Sequence, residues 1–453
     1  MFRNDITRRD AVRTLSTGLG GIAAAALGAE KAFGASSSNP LASKKTHLAP
    51  RAKSVIYLSM RGAPSHVDTF DYKPQLSKDT GKSSKYAGNL LGSPWEFNQH
   101  GESGLWISDL FPNVAKHADD LCILNGMHQD SSNHRPAVTA THTGSVNFIR
   151  PSMGSWALYG LGTENTNLPG YIVLGGGQKG DYGSAFLPAY YQGTMIGGKS
   201  NAPGPPRVPN IANTIMDAKA QRSQLDFVQM LNRNMLERDV HSPIAEGMMQ
   251  SAELAYSMQT SMPELLDYES ESAATLDAYG LNNSGTSGFG KNCLLARRMV
   301  ERGVRFVEVA HGNWDHHDKL QESMTQTCGE TDGPIAALLA DLKQRDLLKD
   351  TLILWGGEFG RTPNGSANND GRGHNAKGYT TWMAGGGVKG GMTYGATDDH
   401  GYEAIEGRMH LHDWHATILH LLGLNHEKLT YRYAGRDFRL TDVHGYVPEE
   451  ILL

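Results

Sequence analysis

Five short runs of apolar, largely β-branched residues constrain this chain most: 54–60 (SVIYLSM), 121–124 (LCIL), 171–174 (YIVL), 304–309 (VRFVEV) and 351–355 (TLILW). Such near-continuous runs belong to strands buried on both faces. Segments with helical periodicity separate them: 136–143, 211–278, 292–302 and 334–345. Residues 379–384 read as a further strand, and 414–422 as a helix ending at Gly423, a suitable C-cap. The alternation predicts an α/β fold, a mostly parallel sheet with helices on both sides. In such sheets ligands bind outside the carboxyl ends of the strands. The residues just beyond each strand are therefore the candidates for a site. Met60 leads to His66, Asp68 and Asp71; Leu124 to His128, Asp130 and His134; Val309 to Asp315, His316 and His317; Trp355 to Glu358, Arg361 and His374.

Composition removes several alternatives. With 453 residues, 39% of them hydrophobic, the chain is long enough for a large core, and wholesale disorder is excluded. Lys and Arg number 42 against 47 Asp and Glu, a net charge of −5, and no basic run lies beyond the first residues, so nucleic acid is not an expected partner. After Gly34 no stretch of about 18 apolar residues occurs, so no transmembrane anchor is expected in the mature chain. Cys122, Cys293 and Cys328 are far apart, which argues against a zinc ribbon and a disulfide scaffold. The 19 histidines, many of them beside Asp, point to metal chemistry.

Residues 1–35 read as an address. Arg8-Arg9, a weakly apolar Ala/Gly-rich stretch and the small-residue site Ala32-Phe33-Gly34 fit a twin-arginine signal peptide. Export as a folded protein by the twin-arginine translocase is expected, to the periplasm or beyond the cell. Residues 36–50 are polar, with two prolines, and read as a linker; 51–453 form the main domain, with a helical insertion at about 211–280.

Each motif has a functional and a bland reading. In GNWDHHD, Asp315 and His317 are two apart after a strand, a spacing that lets both reach one ion; the alternative is a polar loop. Asp68 lies nearer the strand end than Asp71 and is the better ligand, Asp71 reading as a cap or turn residue. Glu358 in WGGEFGRTP can take a metal, and Arg361 can fork onto a tetrahedral oxyanion, unless the two simply pair. His374 in GRGHN can close the site. The cluster His410, His412, Asp413, His415 and His420 reads as structural, with Asp413 an N-cap.

The motifs RGAPSHVDTFDYKP, THTGSVNFIRPSMGSW, TLILWGGEFGRTP, GRGHN, AGGGVKGG and DWHATILHLLGL occur in the order of a known family. Together they resemble the exported "domain of unknown function 1501" proteins of the alkaline phosphatase and sulfatase superfamily, from Arg51 to Leu453. The resemblance implies an alkaline phosphatase-like three-layer sandwich that cleaves phosphate or sulfate esters with divalent metal. Carried over by residue, Asp315, His317 and His374 resemble the ligands of a first metal, and Asp68 and Glu358 the carboxylates of a second. His134 stands where the superfamily keeps its nucleophile: sulfatases have C-x-P-S-R, whereas HRPAV here retains Pro136 but has Val138 for the arginine. His134 is thus a metal ligand first, with a nucleophile acting through a phosphohistidine, or a loss of esterase chemistry, as the alternatives. Gly373 replaces an aspartate common in the family, which weakens a two-metal site.

The resulting expectation is an exported metal-dependent hydrolase of small-molecule or polysaccharide phosphate or sulfate esters. Metal-activated water would attack, with Asp68, His134, Asp315, His317, Glu358 and His374 on metal and Arg361 on the anion. Zinc is the first choice of metal, with manganese, iron and calcium as alternatives. The competing reading is a non-catalytic sulfatase-like binding or envelope protein.

Overall fold

In this computed structural model, the described residues are 40–453 apart from 87, 179, 198–205, 207, 209–210, 212, 214, 239–242 and 366–369. The signal segment and residues 36–39 of the expected linker lie outside them. Ser43–Leu453 form one compact unit. Residues 44–51 run along this unit, with Lys44 N bonded to Leu161 O, Leu48 N to Gly423 O and Arg51 N to Leu421 O.

The main sheet contains β1 (Ser54–Met60), β2 (Leu121–His128), β3 (Tyr171–Leu174), β4 (Thr194–Ile196), β5 (Phe306–His311) and β6 (Thr351–Gly356). A hairpin outside it, β7 (Gly360–Gly365) and β8 (Arg372–Asn375), precedes its remaining strands: β9 (Tyr379–Ala384), β10 (Met392–Tyr394) and β11 (Met409–His410). The order is β10-β2-β9-β6-β1-β5-β3-β4, with β11 also on β2. All described neighbours are parallel except β9, which is antiparallel to β2 and β6. Strands β1, β5, β6 and β9 are buried at every position, as their unbroken apolar runs require.

Among the described residues, the helices of nine or more residues are α1 (His134–Thr143), α2 (Met153–Leu161), α3 (Ala218–Arg238), α4 (Pro243–Leu266), α5 (Ser287–Glu301), α6 (Leu320–Gln344) and α7 (Leu411–Leu421). Alternation along β1 divides its side chains between two cores. Ile56 and Leu58 join Val307, Val309 and Ile353 beneath Leu294 and Met299 of α5 and Leu338 of α6. On the opposite face, Tyr57 meets Trp414 of α7 and His142 of α1 at ring-centroid distances of 5.7 and 5.9 Å. The architecture is therefore a three-layer α/β sandwich with a mostly parallel central sheet. Helices α3 and α4 occupy the stretch expected to be a helical insertion.

The histidines at α7 are structural. His415 Nε2 bonds to Thr141 O at 2.7 Å and His412 Nε2 to Gly144 O at 2.9 Å, fastening α7 to α1. Burial depresses His415 to about 3, so it stays neutral. The N-cap of α7 is His410, not Asp413; Asp413 sits at N3 and accepts from His410 N at 2.8 Å in a capping box.

One charge lies in the middle of the sheet. Glu308 on β5 is fully buried, with Oε1 2.9 Å from Arg61 Nη2 and 3.0 Å from His142 Nε2. Burial alone would raise its pKa, but the His142 imidazolium and Arg61 guanidinium outweigh it and hold Glu308 at about 2, below its ordinary 4.5. Its contribution to stability is therefore complete above pH 4.5 and lost as pH falls towards 2. For His142, burial is outweighed by Glu308 and the pKa is raised, so that contribution is complete below 6.5 and lost as pH climbs through the raised value. Denaturant midpoints measured from pH 5 to about 2 should fall more steeply for wild type than for Glu308→Gln. Equal slopes would contradict this assignment.

Candidate metal centre

Register brings the strand ends level. Met60 pairs with His311 and Ser59 with Gly356, so the loops after β1, β5 and β6 leave the sheet side by side. Gly62, at φ +109°, lets the first loop touch the second: a Cβ there would lie 2.7 Å from Asp315 N. The β7–β8 hairpin holds the Asp315 loop from the other side, through Arg372 N to His316 O at 3.0 Å and Leu320 N to Asp370 O at 2.9 Å. Gly371 makes this approach possible, since a Cβ would meet the His317 carbonyl carbon at 2.0 Å.

Four of the anticipated residues converge. His134 from the start of α1, Asp315 and His317 from the loop after β5, and His374 from β8 each offer one ligand atom, all within 4.8 Å of one another. No other group of this kind occurs among the described residues. Asp315 Oδ1 is the hub, 3.1 Å from His134 Nε2, 2.9 Å from His317 Nε2 and 3.2 Å from His374 Nε2. Its side chain remains 43% exposed, leaving the cluster open to ligands.

Hydrogen bonding on the far side of two rings places a proton on each Nδ1. His374 Nδ1 lies 2.7 Å from Ser132 O; a carbonyl only accepts, so Nδ1 carries the proton and Nε2 a lone pair. His134 Nδ1 lies 2.6 Å from Glu358 Oε1, and Gly62 N donates to both Glu358 oxygens at 3.1 and 3.2 Å, as expected of a carboxylate. A neutral His134 so held turns its Nε2 lone pair towards Asp315 Oδ1, 3.1 Å away. Glu358 raises the pKa of His134, through the hydrogen bond first. Burial, and then the Arg361 cation, lower that of His374. Asp315 is held well below the ordinary carboxylate range because Arg361 and the histidines overcome its partial burial.

Three anticipated residues are occupied differently. Asp68 does not reach the cluster. Its oxygens take a buried bidentate bond from Arg372, Nε to Oδ2 at 2.6 Å and Nη2 to Oδ1 at 3.0 Å, and Ser65 Oγ donates at 2.5 Å. Glu358 lies behind His134 as its orienting carboxylate, so the pair expected to hold a second metal is not assembled. Arg361 is only 1% exposed. Its donors go to the carbonyls of Gly62, Ala63, Trp314 and Arg372 and to Asp315 Oδ1, the last at 2.6 Å. It is a brace for Asp315 rather than a free anion receptor.

Among the other residues noted in the sequence, His66 Nε2 bonds to Gly401 O at 2.7 Å, and Asp71 accepts from Thr397 Oγ1 and pairs with Lys73. Sequence reasoning misses Arg372 as the partner of Asp68 and Glu308 as the buried anion. A lone Glu within VRFVEV and an Arg two residues before His374 are the signals that mark them.

A carboxylate behind a ligating imidazole typically contributes 10–100-fold to metal affinity. Glu358→Gln should therefore weaken metal binding by roughly that factor in a competition titration with a chelator, the fold unchanged. Wild-type affinity would remove Glu358 from the site.

Comparison with curated proteins gives no match. Among solved structures, the chain is similar to the PsFucS1 sulfatase from Pseudoalteromonas sp., at 14% identity over 83% of this chain and 69% of that one, TM-score 0.37. It is similar to the lipoteichoic acid synthase LtaP from Listeria monocytogenes, at 8% identity over 88% and 78%, TM-score 0.35. It is also similar to the alkaline phosphatase from the Antarctic bacterium TAB5, at 10% identity over 77% and 95%, TM-score 0.31. The model of the family described as "Protein of unknown function (DUF1501)" matches residues 52–452, and the chain belongs to that family.

Proposed function

We propose that this protein is an exported, metal-dependent hydrolase of phosphate or sulfate esters, built around one divalent cation. The observation that carries the reading is the convergence of one carboxylate and three imidazoles: Asp315 Oδ1 lies 3.1, 2.9 and 3.2 Å from the Nε2 atoms of His134, His317 and His374, and the four ligand atoms fall within 4.8 Å of one another. Donor atoms of these types at this spacing can share one cation. Three imidazoles and one carboxylate suit zinc, with manganese and iron next; calcium, which prefers oxygen, fits least.

A divalent cation held here supplies Lewis-acid polarisation of the ester and lowers the pKa of water. The protein's own residues fix where this happens. Glu358 keeps the His134 proton on Nδ1, Ser132 O keeps that of His374 on Nδ1, and Arg361 locks Asp315 in place. Cys122, Cys293 and Cys328 are all buried, so none replaces the nucleophile that His134 displaces. The Arg8-Arg9 segment supports twin-arginine export of the folded chain to the periplasm or the medium. No described helix is long and apolar enough to cross a membrane.

The test is a screen of aryl phosphates, aryl sulfates and sulfated or phosphorylated glycans, with and without chelator. Turnover abolished by chelator and restored by zinc or manganese is expected. Absence of turnover from a fully metallated protein would favour the binding or envelope role.

A further inference from the structure

A hydrolytic cation needs a coordination position that the protein does not keep: catalytic zinc sites use three side chains, and a fourth protein ligand closes the site. The cluster offers four. For substrate to reach the cation, one of the four must give way, and the contacts around the ligands single it out.

Three of them are held from outside the cluster. Asp315 Oδ1 takes the Arg361 guanidinium at 2.6 Å, and Arg361 is itself fixed on backbone carbonyls. His134 Nδ1 lies 2.6 Å from Glu358 Oε1, and His374 Nδ1 2.7 Å from Ser132 O. These two rings also share an apolar neighbour. Phe359, fully buried, packs against His134 at a ring-centroid distance of 4.9 Å and against His374 at 4.8 Å. Ala63, Ala137 and Ala376 join Phe359 in a small buried cluster. One short segment, Glu358 to Arg361, therefore grips three of the four ligands.

His317 is held differently. Its ring bonds only through Nε2, to Asp315 Oδ1 and His374 Nε2, both at 2.9 Å, and its Nδ1 has no partner among the described residues. Its side chain is 48% exposed, against 31% for His134 and 23% for His374. The backbone is nonetheless fixed, since the hairpin presses on it at Gly371. Release of His317 therefore needs only rotation of the side chain into solvent, with no movement of the loop and no buried polar group left unpaired.

We propose that His317 is the exchangeable ligand of the centre: His134, Asp315 and His374 hold the cation throughout, and His317 yields its position to the substrate. The inference rests on the metal-hydrolase reading, and its test separates the two.

Zinc affinity is measured by competition with a chelating dye, and the affinity of the zinc-loaded protein for inorganic phosphate by calorimetry. The full chain is compared as wild type, His317→Ala, His134→Ala and His374→Ala, each checked for folding by circular dichroism. His317→Ala should keep one zinc, weakened by no more than about tenfold, whereas each of the other two should lose more than about a hundredfold. Phosphate carries the sharper prediction, and it needs only His317→Ala. In wild type the anion must displace His317; in the variant it need not. Zinc-loaded His317→Ala should therefore bind phosphate more tightly than wild type, by about the factor by which its zinc is weakened. A merely structural histidine would not move the two affinities in opposite directions. Zinc lost from His317→Ala as completely as from His134→Ala or His374→Ala would overturn the exchangeable ligand and leave the metal centre in place. So would phosphate bound by the variant no more tightly than by wild type. A folded wild type that takes up no zinc would overturn the metal reading, and this inference with it.

Discussion

Asp315→Ala should abolish metal binding. Asp315 Oδ1 lies within 3.2 Å of all three imidazole Nε2 atoms and is the only carboxylate oxygen in the cluster. Without it, a cation would sit among neutral donors with the Arg361 guanidinium close by and no anion between them. The loss should exceed the roughly 10–100-fold associated with an outer partner such as Glu358. Asp315→Asn keeps the shape and removes the charge, so comparable loss in both variants would assign the effect to electrostatics. Both variants take the only carboxylate from the buried Arg361, which keeps its backbone carbonyl partners, so affinity is compared on samples whose folding is verified by circular dichroism. Competition against a chelating dye reads the affinity; retention of tight binding would move the site elsewhere.

Asp68→Ala should act on stability and not on metal. Arg372 is wholly buried, and Asp68 neutralises it through two bonds of 2.6 and 3.0 Å. Removing one partner of a buried ion pair strands the other, at a cost of about 3–5 kcal/mol. Arg372 also ties the hairpin to Thr362 O and, through its backbone N–H, to His316 O, so its disturbance should loosen the loop that carries Asp315. Urea denaturation should show the fall in midpoint, while wild-type metal stoichiometry persists in the folded protein. An unchanged midpoint with lost metal would return Asp68 to the ligand set.

The sheet is legible in the sequence because its strands are buried on both faces and carry their signal in continuous runs. The expected limits of 54–60, 171–174 and 379–384 match β1, β3 and β9. Taking Pro334 as a helix start makes α6 too short. The helix begins at Leu320, and Pro334 lies inside it, held by the burial of Met324, Cys328 and Ile335 on the core side. Local propensity cannot register that tertiary packing. The β7–β8 hairpin reads as loop, since GRTPNG and GRGHN carry glycine and proline in place of apolar alternation.

At the site, Asp315, His317, His374 and His134 are legible because each lies beyond a strand end that the fold brings to one edge. The roles of Asp68 and Arg361 are not. Each depends on a contact made across most of the chain: Asp68 with Arg372, 304 positions apart, and Arg361 with Gly62 O, 299 apart. Residue type and spacing leave open which carboxylate gains an arginine and which gains imidazoles. Arg372 and His374 are separated by a register shift in their hairpin, which no periodicity encodes.

The most direct test of the single-cation centre is elemental mass spectrometry on wild-type protein purified without chelator and then reconstituted. One equivalent of zinc, manganese or iron per chain is predicted. No bound metal after reconstitution would contradict the centre itself, and two tightly held equivalents would contradict its assignment to His134, Asp315, His317 and His374 alone.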